Sequence, residues 1–377
     1  MIIEITGTNT RNKGAELMLA AITKELGSCP KIELAVDSNF GTYQDRARYG
    51  LWHKIRIERI GRSKIGFSLL PHSFRQSSGM TTEAKIGGII DASGFAFGDQ
   101  LPVATAERFA RNCARWKSQG KRIVLLPQAL GPFQTKPARR AFLNIVRHAD
   151  LIHARDQDSI SFAIDAAPDH TEKFKLAPDI TIGVSGVPVL NVNFPKPTML
   201  LVPNIRMMDR TKKFQANSYI PFLNRCINAS RKAGLNPIIL IHDDGEDENL
   251  LNAIQNMQKQ TLPVIHETDP LRLKGIISLA TLVIGSRFHA LLGALSSGVP
   301  VVAAGWSHKY KRLLEDFNCE HLTLNVDAPE SEISHCIMTA VGPNRDLILR
   351  SLSSAKIRAI KKIDQMWIQV KKVFNLL

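Results

Sequence analysis

Apolar runs rich in β-branched residues alternate with segments of helical periodicity along almost the whole chain, and the alternation occurs twice. In the first half the strand-like runs are 2–6, 32–36, 86–92, 122–127, 151–154 and 174–177, with helical patterns over 14–26, 104–119, 137–148 and 156–166. In the second half the runs are 198–203, 237–242, 263–266, 281–285, 299–303 and 320–324. The helical patterns between them cover 214–232, 246–258, 269–278, 286–297 and 309–317. Continuous apolar strands separated by helices are buried on both faces, which means parallel sheets covered by helices. Between the two sets, residues 186–197 carry three prolines and little periodicity, so a boundary belongs there. The expected organisation is α/β, with two Rossmann-like domains facing a cleft. Their spans are 1–187 and 198–343, joined by a linker over 188–197. Residues 344–377 form a terminal helix in which Ile360, Ile363, Trp367, Val370 and Phe374 share one face. Such a stripe suits a helix that crosses back to the first domain.

At 377 residues the chain has enough length for two cores. Its longest apolar runs are strand-sized, too short to span a bilayer. The opening Met1-Ile2-Ile3-Glu4-Ile5 reads as a strand rather than a signal peptide. Five scattered cysteines, at 29, 113, 226, 319 and 336, form no CxxC pair. That pattern fits reduced thiols in a cytoplasm better than a disulfide framework or a zinc site. A net charge of +15 raises nucleic acid as a partner. No recognition motif supports that reading, and aromatics are only 6% of the residues. The excess is dense over 46–75, where Arg46, Arg48, Lys54, Arg56, Arg59, Arg62, Lys64 and Arg75 interleave with apolar side chains. Two expectations follow: a peripheral contact with the anionic inner face of a membrane, or a flap packed on the first domain.

Strand-to-helix junctions are where open α/β sheets bind ligands, because helix N-termini present free N–H groups there. The first junction is Gly7-Thr8-Asn9-Thr10-Arg11-Asn12-Lys13-Gly14-Ala15-Glu16. Asn12 is placed to cap the helix, while Asn9 and Lys13 are candidates to face a ligand; a plain helix entry is equally consistent. Asp91-Ala92-Ser93-Gly94 offers small residues that let a ligand or another segment approach the backbone, although packing by Phe95 and Phe97 explains the loop as well. Pro127-Gln128-Ala129-Leu130-Gly131-Pro132 is a rigid turn that offers Gln128 to the cleft. Arg155 leaves a strand just before Asp156 and Asp158, either of which would make a local ion pair. The densest cluster is Ser286-Arg287-Phe288-His289-Ala290 followed by Ser307-His308-Lys309-Tyr310. Cations at helix starts attract anions, and His289 and His308 are each suited to moving protons.

Taken in order, these segments resemble the polysaccharide pyruvyl transferases. The resemblance rests on Asn9 with Lys13-Gly14-Ala15-Glu16, Pro127-Gln128 with Gly131-Pro132, Arg155-Asp156 with Ser159, Pro178-Asp179, Ser286-Arg287-Phe288-His289-Ala290 with Gly298-Val299-Pro300, and His308-Lys309-Tyr310. It covers the chain from Gly7 to about Phe317 and leaves 46–75 and the terminal helix unmatched. The sequence departs from the family where a Gly-rich run is replaced by Ala92-Ser93-Gly94. The resemblance implies a fold similar to the two-lobed GT-B glycosyltransferases, phosphoenolpyruvate as donor, and a saccharide or polysaccharide precursor as acceptor; the basic stretch over 46–75, outside the resemblance, adds the expectation of an acceptor carried on a membrane lipid. The resemblance also implies a pyruvate ketal as product and needs no metal or cofactor. Arg155, Arg287, Lys309, Arg206, Asn9 and Lys13 are then candidates for the donor's phosphate and carboxylate. His289 and His308, with Arg287, would be catalytic, and Gln128, Glu16, Ser93, Gly94 and Tyr310 would meet the acceptor. Two other classes share the architecture: a GT-B-type glycosyltransferase or sugar-nucleotide epimerase, and a non-catalytic carbohydrate-binding protein.

Overall fold

The computed structural model describes residues 1–55, 78–189, 194–209, 211–242, 245, 247–305 and 308–377, the side chains of His308 and Lys309 excepted. The chain divides into two compact units: Met1–Thr181 together with Lys361–Leu377, and Ile182–Ile360.

The first unit runs β1 (Ile2–Thr6), α1 (Lys13–Leu26), β2 (Glu33–Asp37), α2 (Tyr43–Arg48), β3 (Trp52–Ile55), β4 (Met80–Thr82), β5 (Ile86–Asp91), α3 (Val103–Ser118), β6 (Arg122–Gln128), α4 (Lys136–His148), β7 (Leu151–Ala154), α5 (Gln157–Ala166) and β8 (Phe174–Leu176). Its sheet has the order β4-β3-β2-β1-β5-β6-β7-β8, with every pairing parallel. Ile5 lies level with Val36 on one side and Ile90 on the other. The core between β6 and the helices α3 and α4 is built from Trp116, Ile123, Leu125, Phe142 and Ile145, all buried. Each such side chain contributes about 1.5–3 kcal/mol through removal from water.

The second unit runs β9 (Thr198–Val202), α6 (Arg206–Asp209), α7 (Lys213–Lys232), β10 (Asn236–Ile241), α8 (Glu248–Gln255), β11 (Val264–His266), α9 (Pro270–Ser278), β12 (Leu282–Gly285), α10 (Phe288–Ser296), β13 (Val301–Ala303), α11 (His308–Asp316) and α12 (Glu330–Val341). Its parallel sheet has the order β11-β10-β9-β12-β13. The expected α/β class is therefore observed, with one Rossmann-like sheet in each unit.

A final helix, α13 (Arg345–Val373), begins in the second unit, and the first unit takes up the chain from Lys361 onward. Ile363, Trp367, Val370 and Phe374 are buried. Phe374 lies where a Cβ on Gly88 would stand, 2.4 Å from its Cε1, so only glycine at this point of β5 admits the ring. Gln369 sits 3.1 Å from the buried His153 of β7.

The strand expected over 320–324 is not formed. Asn318, at φ 54°, reverses the chain after α11, and Glu320–Leu322 enter a 3-10 turn. Thr323 keeps a single bridge to Ala303. Among the described residues, no helix is long and apolar enough to cross a membrane.

Candidate functional site

In the first unit the strand order reverses between β1 and β5, the position at which an open α/β sheet leaves a crevice beyond its strand ends. Asp91, the last residue of β5, is buried there and collects hydrogen bonds from three neighbouring segments. Thr6 Oγ1 donates at 2.9 Å, Ser93 Oγ at 2.9 Å and Gln128 Nε2 at 2.5 Å. Burial pushes the Asp91 carboxyl upward from its ordinary value, against the pull of these neutral donors. Gln128 is itself fully buried, and its Oε1 has no hydrogen-bond partner among the described residues. Gly7 turns away from β1 at φ 79°, and a Cβ on it would stand 2.3 Å from Ser93 Oγ. The first loop is thus pressed onto the Ser93-Gly94 segment.

That first loop is organised by its own amides. Asn9 Oδ1 accepts from the backbone N–H of Arg11 at 3.0 Å and of Asn12 at 2.8 Å. Asn12 caps α1 by accepting from Ala15 N at 3.0 Å, as the sequence suggested. Lys13 is buried 3.9 Å from Glu16, which also accepts from Tyr49 Oη at 3.0 Å and lies 3.5 Å from Arg48. At the end of β7, Arg155 reaches Asp179 at 3.2 Å, with both side chains buried. This long-range pair was not foreseen from Asp156 and Asp158. Asp156 serves as the cap of α5, accepting from Ser159 N at 2.8 Å. Asp179 is held in turn by Thr181 Oγ1 at 2.7 Å.

In the second unit the order reverses between β9 and β12, and a second polar cluster sits there. Arg287, the N-cap of α10, places Nε 2.8 Å and Nη2 2.5 Å from the two oxygens of Asp247. Asp247 is wholly buried and also accepts from Ile205 N at 3.0 Å. A bidentate pair of this kind fixes the guanidinium plane. Asn204 Nδ2 donates to the Ser286 carbonyl at 2.6 Å, and Tyr310 Oη donates to the same oxygen at 2.8 Å. Tyr219 Oη donates to Ser286 Oγ at 3.2 Å and accepts from Asn204 N at 3.0 Å. His289 stands in the first turn of α10, edge-on to the Phe288 ring. Arg206 lies in α6 and pairs with Asp209 at 2.5 Å near the surface. His308 and Lys309 open α11, and their side chains lie outside the described residues.

The second cluster therefore joins Ser286, Arg287 and Tyr310 from the sequence reading to Asp247, Asn204 and Tyr219, which that reading missed. Asn204 and Ser286 carried a signal, since each polar residue directly follows a continuous apolar strand. Asp247 lies in an acidic loop that gives no hint of burial. The Asp91 carboxylate had the same kind of signal at the end of Ile89-Ile90. In the basic stretch, Arg46 donates to the carbonyls of Phe40 and Gly41, Arg48 lies beside Glu16, and Lys54 pairs with Glu4 and Asp37. The rest of that stretch, from Arg56 on, lies outside the described residues. Among the described residues, no group of three or more His, Cys, Asp or Glu side chains could hold a metal ion.

The sequence profile described as polysaccharide pyruvyl transferase matches residues 12–308. No curated protein matches the chain. Among solved structures, Anabaena HepE in complex with UDP and glucose is similar at TM-score 0.59 and 12% identity, over 100% of this chain and 99% of that one. Staphylococcus aureus MnaA with UDP gives TM-score 0.59 and 10% identity, covering 100% and 97%. The UDP-GlcNAc 2-epimerase of Neisseria meningitidis gives TM-score 0.55 and 10% identity, covering 97% and 100%. At such identities the likeness shows the fold, which is that of GT-B glycosyltransferases and epimerases.

Proposed function

The chain belongs to the polysaccharide pyruvyl transferase family, and on that premise we propose that it transfers the pyruvyl group of phosphoenolpyruvate to a hydroxyl of a saccharide or polysaccharide precursor. A proton is added to the donor's methylene carbon, which becomes a methyl group. The neighbouring carbon gains positive character and is attacked by the saccharide hydroxyl, whose proton passes to a base. Loss of inorganic phosphate and attack by a second hydroxyl then close the pyruvate ketal. The balance is one donor and one diol giving one ketal and one phosphate.

The observation that carries this reading is the pairing of a fixed Arg287 with His289 in one helix turn at the reversal point of the second sheet, inside the family match. A small dianionic or trianionic donor needs cations that do not reorganise when it binds. Arg287 meets that requirement through Asp247. Arg206 pairs with Asp209 close to solvent, a kind of pair that contributes little to stability, and it is proposed to join the donor set. Lys309, Arg155, Asn9 and Lys13 complete the proposed donor set. His289 and His308 are the proposed acid and base, a role worth roughly 10²–10⁴-fold in rate. Ser93 and Gly94 are proposed to meet the acceptor, with Gln128, Glu16 and Tyr310 shaping the segments that carry it.

A thermal-shift comparison tests the donor, because a ligand that binds the native state raises the midpoint by mass action. Phosphoenolpyruvate should stabilise the protein, and Arg287→Ala should abolish the effect. Stabilisation by UDP-sugars without any by phosphoenolpyruvate would replace this reading with that of a sugar-nucleotide enzyme. Stabilisation by saccharides alone would leave a carbohydrate-binding protein.

A further inference from the structure

The helices α3 and α4 pack side by side in the first unit and bury Ala110, Trp116, Ala141 and Phe142 in the core. Their outward faces carry Arg111, Lys136, Arg140 and Arg147, all exposed. None of these four has a carboxylate partner among the described residues. By contrast, Arg115, Lys117 and Arg139 on the same helices pair with Glu83, Asp150 and Asp165. Two adjoining hollows of about 470 and 460 Å³ run along this face and share Arg140 and Asn144. Among the described residues, Glu107 is the single acid lining either one. Ala114 and Leu143, both partly exposed, supply an aliphatic floor, and among the described residues no Phe, Tyr or Trp ring lines the surface. At its edge, burial first, and then Lys173, Arg147 and Lys117, hold the pKa of His148 below the ordinary value.

We propose that the outward face of α3 and α4 docks on an anionic phospholipid surface. Like charges this close, with little acid among them, are costly unless an external anion balances them. A polynucleotide is the weaker match, because single strands are held by stacking on aromatic side chains as well as by cations. A lipid surface asks only for cations on flexible stems and a short aliphatic floor between them. The docking face is independent of the transfer chemistry proposed above, and its test is binding, not turnover.

The full chain is sedimented with vesicles of phosphatidylglycerol and phosphatidylcholine, and with pure phosphatidylcholine, at low and high salt. Binding should appear only with the anionic vesicles and fall as salt shortens the reach of the charges. Each cation at such a surface strengthens binding about fivefold. The variant Arg111→Glu/Lys136→Glu/Arg140→Glu/Arg147→Glu should therefore lose roughly 100-fold or more in partitioning, with its melting midpoint unchanged. Arg111→Lys/Arg140→Lys/Arg147→Lys should keep it. Equal binding to neutral vesicles, full binding by the charge-reversed variant, preference for nucleic acid over vesicles, or displacement by millimolar inorganic phosphate would each overturn the proposal.

Discussion

Replacing Asp247 by alanine removes a carboxylate that takes two hydrogen bonds from Arg287, at 2.8 and 2.5 Å, and one from Ile205 N at 3.0 Å. Asp247 is wholly inaccessible and the Arg287 side chain is 11% exposed, so water cannot take over these contacts without rearrangement. Breaking a buried pair by removing one partner costs about 3–5 kcal/mol, because the other charge is left uncompensated. For a unit of this size, about 2–4 °C of melting temperature accompanies each kcal/mol, so a fall of roughly 6–20 °C is expected. Arg287→Ala alone leaves the opposite charge stranded and should cost a comparable amount. The double variant Asp247→Ala/Arg287→Ala leaves neither charge, so its loss should be well below the sum of the two. Calorimetry on the four proteins gives the coupling directly from the transition of the second unit. A coupling of at least about 1.5 kcal/mol is expected; single losses that add to within about 0.5 kcal/mol would show that the pair is not held as described.

His289→Ala or His308→Ala, tested for phosphate release from phosphoenolpyruvate with acceptor present, should lower turnover by roughly 10²-fold in at least one case. Near-normal rates in both would remove the histidines from the chemistry. Gly7→Ala forces a side chain into φ 79° against Ser93 and should cost about 1–3 kcal/mol in denaturant unfolding; an unchanged midpoint would count against that contact. Burial lowers the pKa of His153 to about 4. The unfolded chain therefore takes up a proton first, so stability should decline as pH falls from about 6.5 toward 4. His153→Gln should flatten that decline, and an identical pH profile would refute the assignment. Of the five thiols, Cys113, Cys226, Cys319 and Cys336 are buried, and burial raises the last two to about 11 and about 12. Only Cys29 should react with a thiol reagent in the native protein, and all five after unfolding.

The sheets were legible because their strands are apolar without interruption. Leu200-Leu201-Val202 and Val124-Leu125-Leu126 can only lie between two layers of helix. Trp52–Ile55 and Met80–Thr82 escaped because their side chains are mixed and their pairings short. The polar residues at strand exits could be seen, but their partners could not. Arg155 finds Asp179 and Arg287 finds Asp247 only because separate strands bring their ends together, a relation that local spacing does not encode. The same holds for Asp91, whose donors come from β1, β6 and the loop after β5.

Among the described residues, both sheets finish on strands of three residues: β4 and β8 at the margins of the first, β11 and β13 at those of the second. Backbone N–H and C=O groups along a sheet margin are a template on which another chain can extend the ladder. Three residues offer too few successive hydrogen bonds for such an addition to hold. Parallel sheets also form slowly, since their strands must be gathered from distant parts of the chain. Margins this short would limit intermolecular strand addition during that interval, which favours recovery of this protein from refolding at concentrations where longer open margins would coalesce.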